Sequence, residues 1–335
     1  MSPQAREVIL LERPDGAPQA RDFGIKEVQL PPLASGRVRV RNTWLSLDPY
    51  MRLYLTGLPG AHPPLQKGET LDGGAVGEVV ASEAADLPVG TAVFSSRHGW
   101  RDAYVAHASE LRALDPGLGP LQYHLGIFGL IGITACAGME AVLAPEPGQT
   151  LFVSGAAGAV GSVAVQLGKL RGAKVIASAG STEKGRWLTA ELGADAFVNY
   201  RDDDLGKALR NFAPDGIDLY FDNVGGDHLE AAMESMKVGG RIALCGSIAQ
   251  YDSDNYRAGP GNFFTAIEKG LTLTGFNAGL YAGQAPGYIA QLAGLLNAGD
   301  LIWRETVVNG FDNLVPAFCD LLRGGNTGKM LVRLT

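Results

Sequence analysis

Thr150-Leu151-Phe152-Val153-Ser154-Gly155-Ala156-Ala157-Gly158-Ala159-Val160-Gly161-Ser162-Val163-Ala164-Val165-Gln166-Leu167 is the stretch that decides how this chain folds. An apolar run breaks into glycine and alanine and resumes with helical spacing, so it reads as strand, glycine turn, helix. Such a turn aims the first free N–H groups of the helix and its positive dipole end at an anion. Glycine lets a pyrophosphate approach the backbone without meeting a Cβ. A dinucleotide is the expected ligand, although the spacing G-x-x-G-x-x-G alone also fits a plain tight turn.

The following hundred or so residues turn that motif into a fold. Lys174-Val175-Ile176-Ala177-Ser178 reads as a strand, residues 183–192 as a polar helix, Ala196-Phe197-Val198 as a short strand and residues 204–212 as a helix. Then come strand Ile217-Asp218-Leu219-Tyr220-Phe221, a helix over 229–236, strand Arg241-Ile242-Ala243-Leu244-Cys245 and a last strand over 271–276. Strands alternating with helices predict an α/β, doubly wound parallel sheet with its ligand at the carboxyl edge.

The end of the second strand discriminates between cofactors. An NAD site usually carries Asp or Glu about twenty residues after the glycines, gripping the ribose 2′-hydroxyl and repelling a 2′-phosphate. Here Ala177-Ser178-Ala179-Gly180-Ser181-Thr182 holds no acid, and Lys184 and Arg186 follow. Cations there suit a 2′-phosphate and favour NADPH. They also read as solvated charges at a helix start, where they oppose the dipole.

At 335 residues the chain exceeds one ordinary core and suits two domains. Its 28 basic and 35 acidic residues give a net charge of -7 with no basic run, so neither nucleic acid nor an anionic membrane is the expected partner. Residues 1–7 lack the apolar core of a signal peptide, and no apolar run approaches membrane-spanning length. A soluble, cytoplasmic protein is expected. Cys136, Cys245 and Cys319 are dispersed and odd in number, which fits a reducing compartment. His62, His98, His107, His124 and His228 form no tight ligand pair with them, so no metal site is expected.

Ahead of the glycine turn, Arg37-Val38-Arg39-Val40-Arg41 and Ala75-Val76-Gly77-Glu78-Val79-Val80-Ala81 predict a mainly β domain with one wet face. The Pro- and Gly-rich stretch 57–68 reads equally as a substrate lid or a surface excursion. A helix carrying Ile127-Phe128-Gly129-Leu130-Ile131-Gly132 leads out of that domain. A helix over 288–297, a strand over 304–308, a helix over 314–323 and a final strand over 329–333 bring the chain back to it. The expected organisation is residues 1–125 and 300–335 as a substrate domain and 126–299 as a nucleotide domain, with the cleft between them.

Several long segments resemble the medium-chain dehydrogenase/reductase superfamily, and within it the zinc-independent branch of prostaglandin reductases, leukotriene dehydrogenases, alkenal reductases and bacterial curcumin reductase. They are Leu45-Ser46-Leu47-Asp48-Pro49-Tyr50-Met51-Arg52, residues 155–162, Pro214-Asp215-Gly216-Ile217-Asp218, Tyr220-Phe221-Asp222-Asn223-Val224-Gly225-Gly226 and Leu322-Arg323-Gly324-Gly325-Asn326-Thr327-Gly328-Lys329. The resemblance covers nearly the whole chain. It implies a mainly β GroES-like catalytic domain, a Rossmann NADPH domain and, often, a homodimer.

By position, the resemblance implies that Gly158, Ala159, Val160, Gly161 and Ser162 hold the pyrophosphate and that Lys184 and Tyr200 meet the 2′-phosphate. It further implies that Asn223, Cys245, Gly246, Ser247, Ile248, Tyr251, Phe276, Asn277, Ala278 and Asn326 line the rest of the cofactor. Plainer readings stand beside these. Asn223 also suits a cap of the helix near Asp227, Tyr200 a half-buried edge and Asn326 a Gly-rich turn.

The implied reaction is reduction of the carbon-carbon double bond of an α,β-unsaturated ketone or aldehyde. A hydride delivered to the β-carbon leaves an enolate, whose charge must be met where it develops. A tyrosine phenol or a cofactor ribose hydroxyl serves. The resemblance points to Tyr251 as donor and Tyr50 as a second pocket hydroxyl, each of which also reads as a packing aromatic. The branch often has Thr-Ala-Tyr-Phe-Gly where this chain has Thr134-Ala135-Cys136-Ala137-Gly138, and Ala249 and Asp252 replace a common Ser and Asn. The small side chains either leave room or are compensated, and Cys136 reads as an inert buried thiol sooner than a reactive one. A quinone reductase and a non-catalytic NADPH-binding protein remain the alternative readings.

Overall fold

Every residue of Thr150–Val153 is buried, as in a strand covered on both faces. In the computed structural model, which describes residues 3–56, 63–251 and 259–334, this strand lies inside a six-stranded parallel sheet. Across the sheet run Ala196–Asn199, Lys174–Ala179, Thr150–Val153, Ile217–Asp222, Met236–Leu244 and Thr272–Gly275. Numbered along the chain that order is 3-2-1-4-5-6, the dinucleotide-binding arrangement. The order reverses between the first and fourth of these strands, so a crevice opens at their carboxyl ends.

Helices Ala159–Leu170, Thr182–Ala190, Leu205–Phe212 and Gly226–Ser235 form the crossovers. Val163, Ala164 and Val165 of the first are fully buried with Leu151 and Val153. Each larger side chain so buried contributes about 1.5 to 3 kcal/mol. Ser181 and Asp204 cap the second and third, accepting from the Lys184 and Lys207 amides at 3.3 and 2.8 Å.

A second, seven-stranded sheet runs Glu305–Asn309, Lys329–Arg333, Arg37–Ser46, Ala75–Ser82, Ala92–Ser95 and Arg112–Ala113, with Ala103–His107 also paired to Arg37–Ser46. Val38 and Val40 are buried while Arg37 and Arg41 are exposed, the wet face read from the sequence. Its first two strands come from late in the chain, which therefore returns to the sheet it began. Gln4–Leu10 and Phe23–Gln29 pair beside it, and Phe23, Trp100 and Phe318 pack their rings into its core. No helix among the described residues is long and apolar enough to cross a membrane.

Two elements differ from expectation. The helix expected over 127–132 begins at Leu130, with Ile127 and Phe128 buried in the turn before it, and after Cys136 it widens into the i→i+5 turn Ala137–Leu143. The strand expected over 241–245 starts at Met236, because Met236 pairs with Ile217, so the preceding helix, expected over 229–236, ends at Ser235 and begins earlier, at Gly226. Residues 57–62 of the Pro- and Gly-rich stretch, with His62, and also Asp252, lie outside the described residues.

Candidate active site

The glycine turn closes at the reversal of strand order. Gly155 takes a φ of +56°, and Gly158, the N-cap of Ala159–Leu170, donates to the Gly155 carbonyl at 3.0 Å. A Cβ on Gly161 would stand 2.4 Å from that same oxygen and 2.7 Å from the Ala156 Cα, so the helix reaches the turn only with glycine there. No acid occupies the first helical turn, so nothing there repels an anion that its free N–H groups could bind. Ser162 is buried and donates its hydroxyl to the Ala159 carbonyl at 3.1 Å, which makes it a brace of the turn.

At the end of the second strand, Gly180 lies between two side chains. A Cβ there would be 2.8 Å from the Tyr200 hydroxyl and 3.0 Å from Arg201 Nε. Lys184 Nζ donates to the Gly324 carbonyl at 2.7 Å and Arg201 Nη2 to the Arg323 carbonyl at 3.0 Å. Burial first, then the charge of Arg201, lowers the pKa of Lys184, with Asp320 and Glu183 opposing: two cations converge beside Gly180. Arg186, suggested by spacing alone, is exposed on the helix, and Arg201 is the cation that stands against Gly180. The signal for Arg201 was its place directly after Tyr200, at the end of the third strand.

The fourth strand ends in a buried polar cluster. One oxygen of Asp222 accepts from the Tyr220 hydroxyl (2.6 Å), Ser154 Oγ (3.2 Å) and the amides of Val224 (2.9 Å) and Gly225 (2.8 Å). Burial nevertheless raises its pKa. Asn223 donates its amide side chain to the Ser154 carbonyl at 2.7 Å, tying the first and fourth strands together at the crevice. It does not cap the next helix, whose N-cap is Gly225. Residues 245–251 fold over this cluster: Cys245 and Gly246 donate to the Asp222 carbonyl, and Ala249 to the Val224 carbonyl. Ile248 is exposed; the Cys245 thiol is pushed up to about 12 by burial and by Asp222.

The Tyr251 hydroxyl accepts from the Ser247 amide at 3.5 Å, and burial raises its pKa against that hydrogen bond. It is therefore a neutral phenol, able to act as a proton donor. Tyr50 lies on the turn Pro49–Leu55, its ring edge-on to Tyr54 at 6.2 Å. Burial and then the nearby Asp48 raise its pKa strongly, so it too stays protonated. Phe276 and Ala278 are buried and Asn277 is exposed; the Phe276 ring packs edge-on to Phe221. Asn326 is buried and donates to the Gly328 carbonyl at 2.7 Å. Cys136 and Ala137 are fully buried and so line no open pocket; the Cys136 thiol is pushed up to about 12 by burial.

Sequence reasoning missed the group that joins these pieces. Lys329 is 1% exposed, and its ammonium lies 3.1 Å from Asp48 and donates to the Leu47 and Met330 carbonyls. Next to it, Gly328 donates to the Ala157 carbonyl at 2.8 Å and bridges Gly158. Asp48 and Lys329 both stand in the segments that carried the family resemblance, the only signal available for the pair.

The fold and the crevice define a two-domain, dinucleotide-dependent oxidoreductase. The chain belongs to the medium-chain dehydrogenase/reductase superfamily, in its zinc-independent prostaglandin reductase and alkenal reductase branch. Residues 6–114 match the family profile described as the N-terminal domain of oxidoreductase, and residues 159–294 that described as zinc-binding dehydrogenase. The chain is 36% identical to a 2-alkenal reductase (NADP(+)-dependent) of Nicotiana tabacum, over 98% of this chain and 97% of the relative. It is 37% identical to prostaglandin reductase 1 of Bos taurus over 95% of each. The crystal structure of CurA in complex with NADPH from Vibrio vulnificus superposes with a TM-score of 0.93 at 35% identity, covering 98% of this chain and 99% of that one. Among the described residues no three His, Cys, Asp or Glu side chains converge as a metal-binding group, so the zinc of the second profile's description finds no ligand set there.

Proposed function

We propose that the protein reduces the carbon-carbon double bond of α,β-unsaturated ketones or aldehydes with NADPH. The observation that carries this is the full-length likeness to an NADP-dependent 2-alkenal reductase, in a chain that gathers Lys184 and Arg201 near the end of its second strand. When bound, NADPH supplies the hydride. The chain would hold its pyrophosphate at Gly158, Ala159, Val160 and Gly161, with Ser162 bracing the turn. Lys184, Tyr200 and Arg201 would take the 2′-phosphate, and Asn223, residues 245–251, 276–278 and Asn326 the remainder. Tyr251, held protonated, would meet the carbonyl oxygen as enolate charge develops, and Tyr50 would give a second neutral hydroxyl to the pocket wall.

In this reading residues 1–125 and 300–335 form the substrate domain and 126–299 the cofactor domain, in a cytoplasmic enzyme whose three cysteines are all free. A homodimer is supported by the edge strand Thr272–Gly275, paired on one side only among the described residues, and by exposed Phe263, Phe264 and Ile267 next to it. Light scattering after size exclusion reads that state directly. The enzymatic test mixes protein, NADPH and a panel of 2-alkenals and enones. Saturated carbonyl products by mass spectrometry are expected, and tight NADPH binding with no saturated product from any acceptor overturns the reading.

A further inference from the structure

The buried Lys329–Asp48 pair has no part in the chemistry just described. A buried ammonium and carboxylate are costly to desolvate, and apolar side chains of similar size often pack as stably. Their placement says more than their attraction. Lys329 holds the Leu47 carbonyl, 282 residues away in sequence, together with Asp48, whose second oxygen accepts from Ser46 Oγ. Asp48 is the residue from which the turn Pro49–Leu55 springs, and the Met51 amide donates to its carbonyl at 3.1 Å. That turn carries Tyr50. In the other direction the Lys329 amide donates to the Arg304 carbonyl at 3.0 Å, and its neighbour Gly328 hydrogen bonds to the dinucleotide turn at Ala157. Asn326, on the same short segment, fixes the Gly328 carbonyl. A path of hydrogen bonds, joined by the Gly328–Lys329 peptide, therefore runs from the Tyr50 turn, through Lys329, to the glycine turn.

We propose that Lys329 is a positioning residue for the reaction: through Asp48 it sets the Tyr50 turn, and through Gly328 the dinucleotide turn, so that substrate wall and cofactor keep one spacing. The proposal rests on the reading of the crevice as a reductase site. Lys329→Met keeps the length of the side chain and removes its charge and donors; Asp48→Asn keeps the shape and removes the charge of its partner. Each is compared with wild type, with Tyr50→Phe and with the double variant Lys329→Met/Tyr50→Phe. The measurements are NADPH affinity by fluorescence, kcat and KM on a 2-alkenal, and hydrogen exchange of native protein.

The expected result is NADPH affinity within threefold of wild type, kcat down at least tenfold and KM changed less than kcat. The Lys329→Met loss should shrink to under threefold in the Tyr50→Phe background, and exchange should quicken at residues 49–55 and 155–161 but not in the distant strand Lys174–Ala179. A purely structural clasp instead gives losses that multiply independently with those of Tyr50→Phe, or an unchanged kcat, and either overturns the proposal. If Lys329→Met does not fold, Asp48→Asn decides by the same criteria. If wild type turns over no 2-alkenal, the function reading fails by itself; the exchange pattern then decides, since acceleration in both segments upholds the link and acceleration in only one, or in neither, overturns it.

Discussion

Removing Lys184 should weaken NADPH and leave NADH almost untouched. In the structure its ammonium is half-buried, 2.7 Å from the Gly324 carbonyl, and Arg201 makes the matching bond to Arg323. A 2′-phosphate would gain one charge-assisted hydrogen bond from each cation, about 1.5 to 3 kcal/mol at full strength. The loop carbonyls already hold both donors, so the net gain falls at the low end. Lys184→Ala should then cost about 1.5 kcal/mol, roughly a tenfold rise in the NADPH dissociation constant. Arg201→Ala, at a more exposed position, should cost about fivefold or less. The double variant should approach the product of the two, with some departure because both groups face one phosphate. Fluorescence titration with NADPH and NADH in parallel gives the discrimination ratio, and thermal melting of each variant controls for loss of the loop contacts. Wild-type preference for NADPH should also fall as salt rises, since these groups are partly open to solvent. Equal losses for both cofactors, or none for NADPH, would refute the phosphate assignment.

Tyr251→Phe should lower kcat for double-bond reduction by about a hundredfold while changing NADPH affinity less than threefold; an unchanged rate in stopped-flow removes it from the mechanism. Gly161→Ala forces a Cβ into backbone atoms at 2.4 and 2.7 Å, and urea unfolding should show a loss of about 1 to 3 kcal/mol together with poor NADPH binding. His98 and His228 are drawn down to about 4 by burial, so the unfolded chain takes up their protons first as pH falls below about 6.5. Stability should hold from neutral pH down to that point and decline between it and about pH 4, with denaturation midpoints across the range as the check. A midpoint that stays constant over that interval contradicts the burial of the two rings.

The parallel cofactor sheet was legible because each of its elements announces itself locally, by apolar runs, glycine at the turn and polar residues at a helix start. The missing acid near Gly180 was equally local. What the sequence hid was convergence. Arg201 faces Gly180 only because the third strand runs parallel beside the second, and Asp48 meets Lys329 only because the last strand lies next to Arg37–Ser46. The widened turn after Cys136 was illegible for a related reason: at Gly138 the Phe221 and Phe276 rings come so close that a Cβ would sit 2.4 and 2.7 Å from them, and those rings arrive from elsewhere in the chain. Helical spacing continued across it without a mark.

The bridge between Gly158 and Gly328 also bears on the order in which the protein is made. A nascent chain that has left the ribosome as far as Thr272–Gly275 already contains all six strands of the cofactor sheet and can close it. Its dinucleotide turn then still lacks the Ala157 partner, and the Tyr50 wall still lacks the ammonium that anchors Asp48. Both are supplied by one late segment, residues 326–329. The cofactor turn and the Tyr50 wall thus share one anchor, and a chain lacking that segment would keep the strands of the nucleotide fold while losing the contacts that tie both walls of the cleft together.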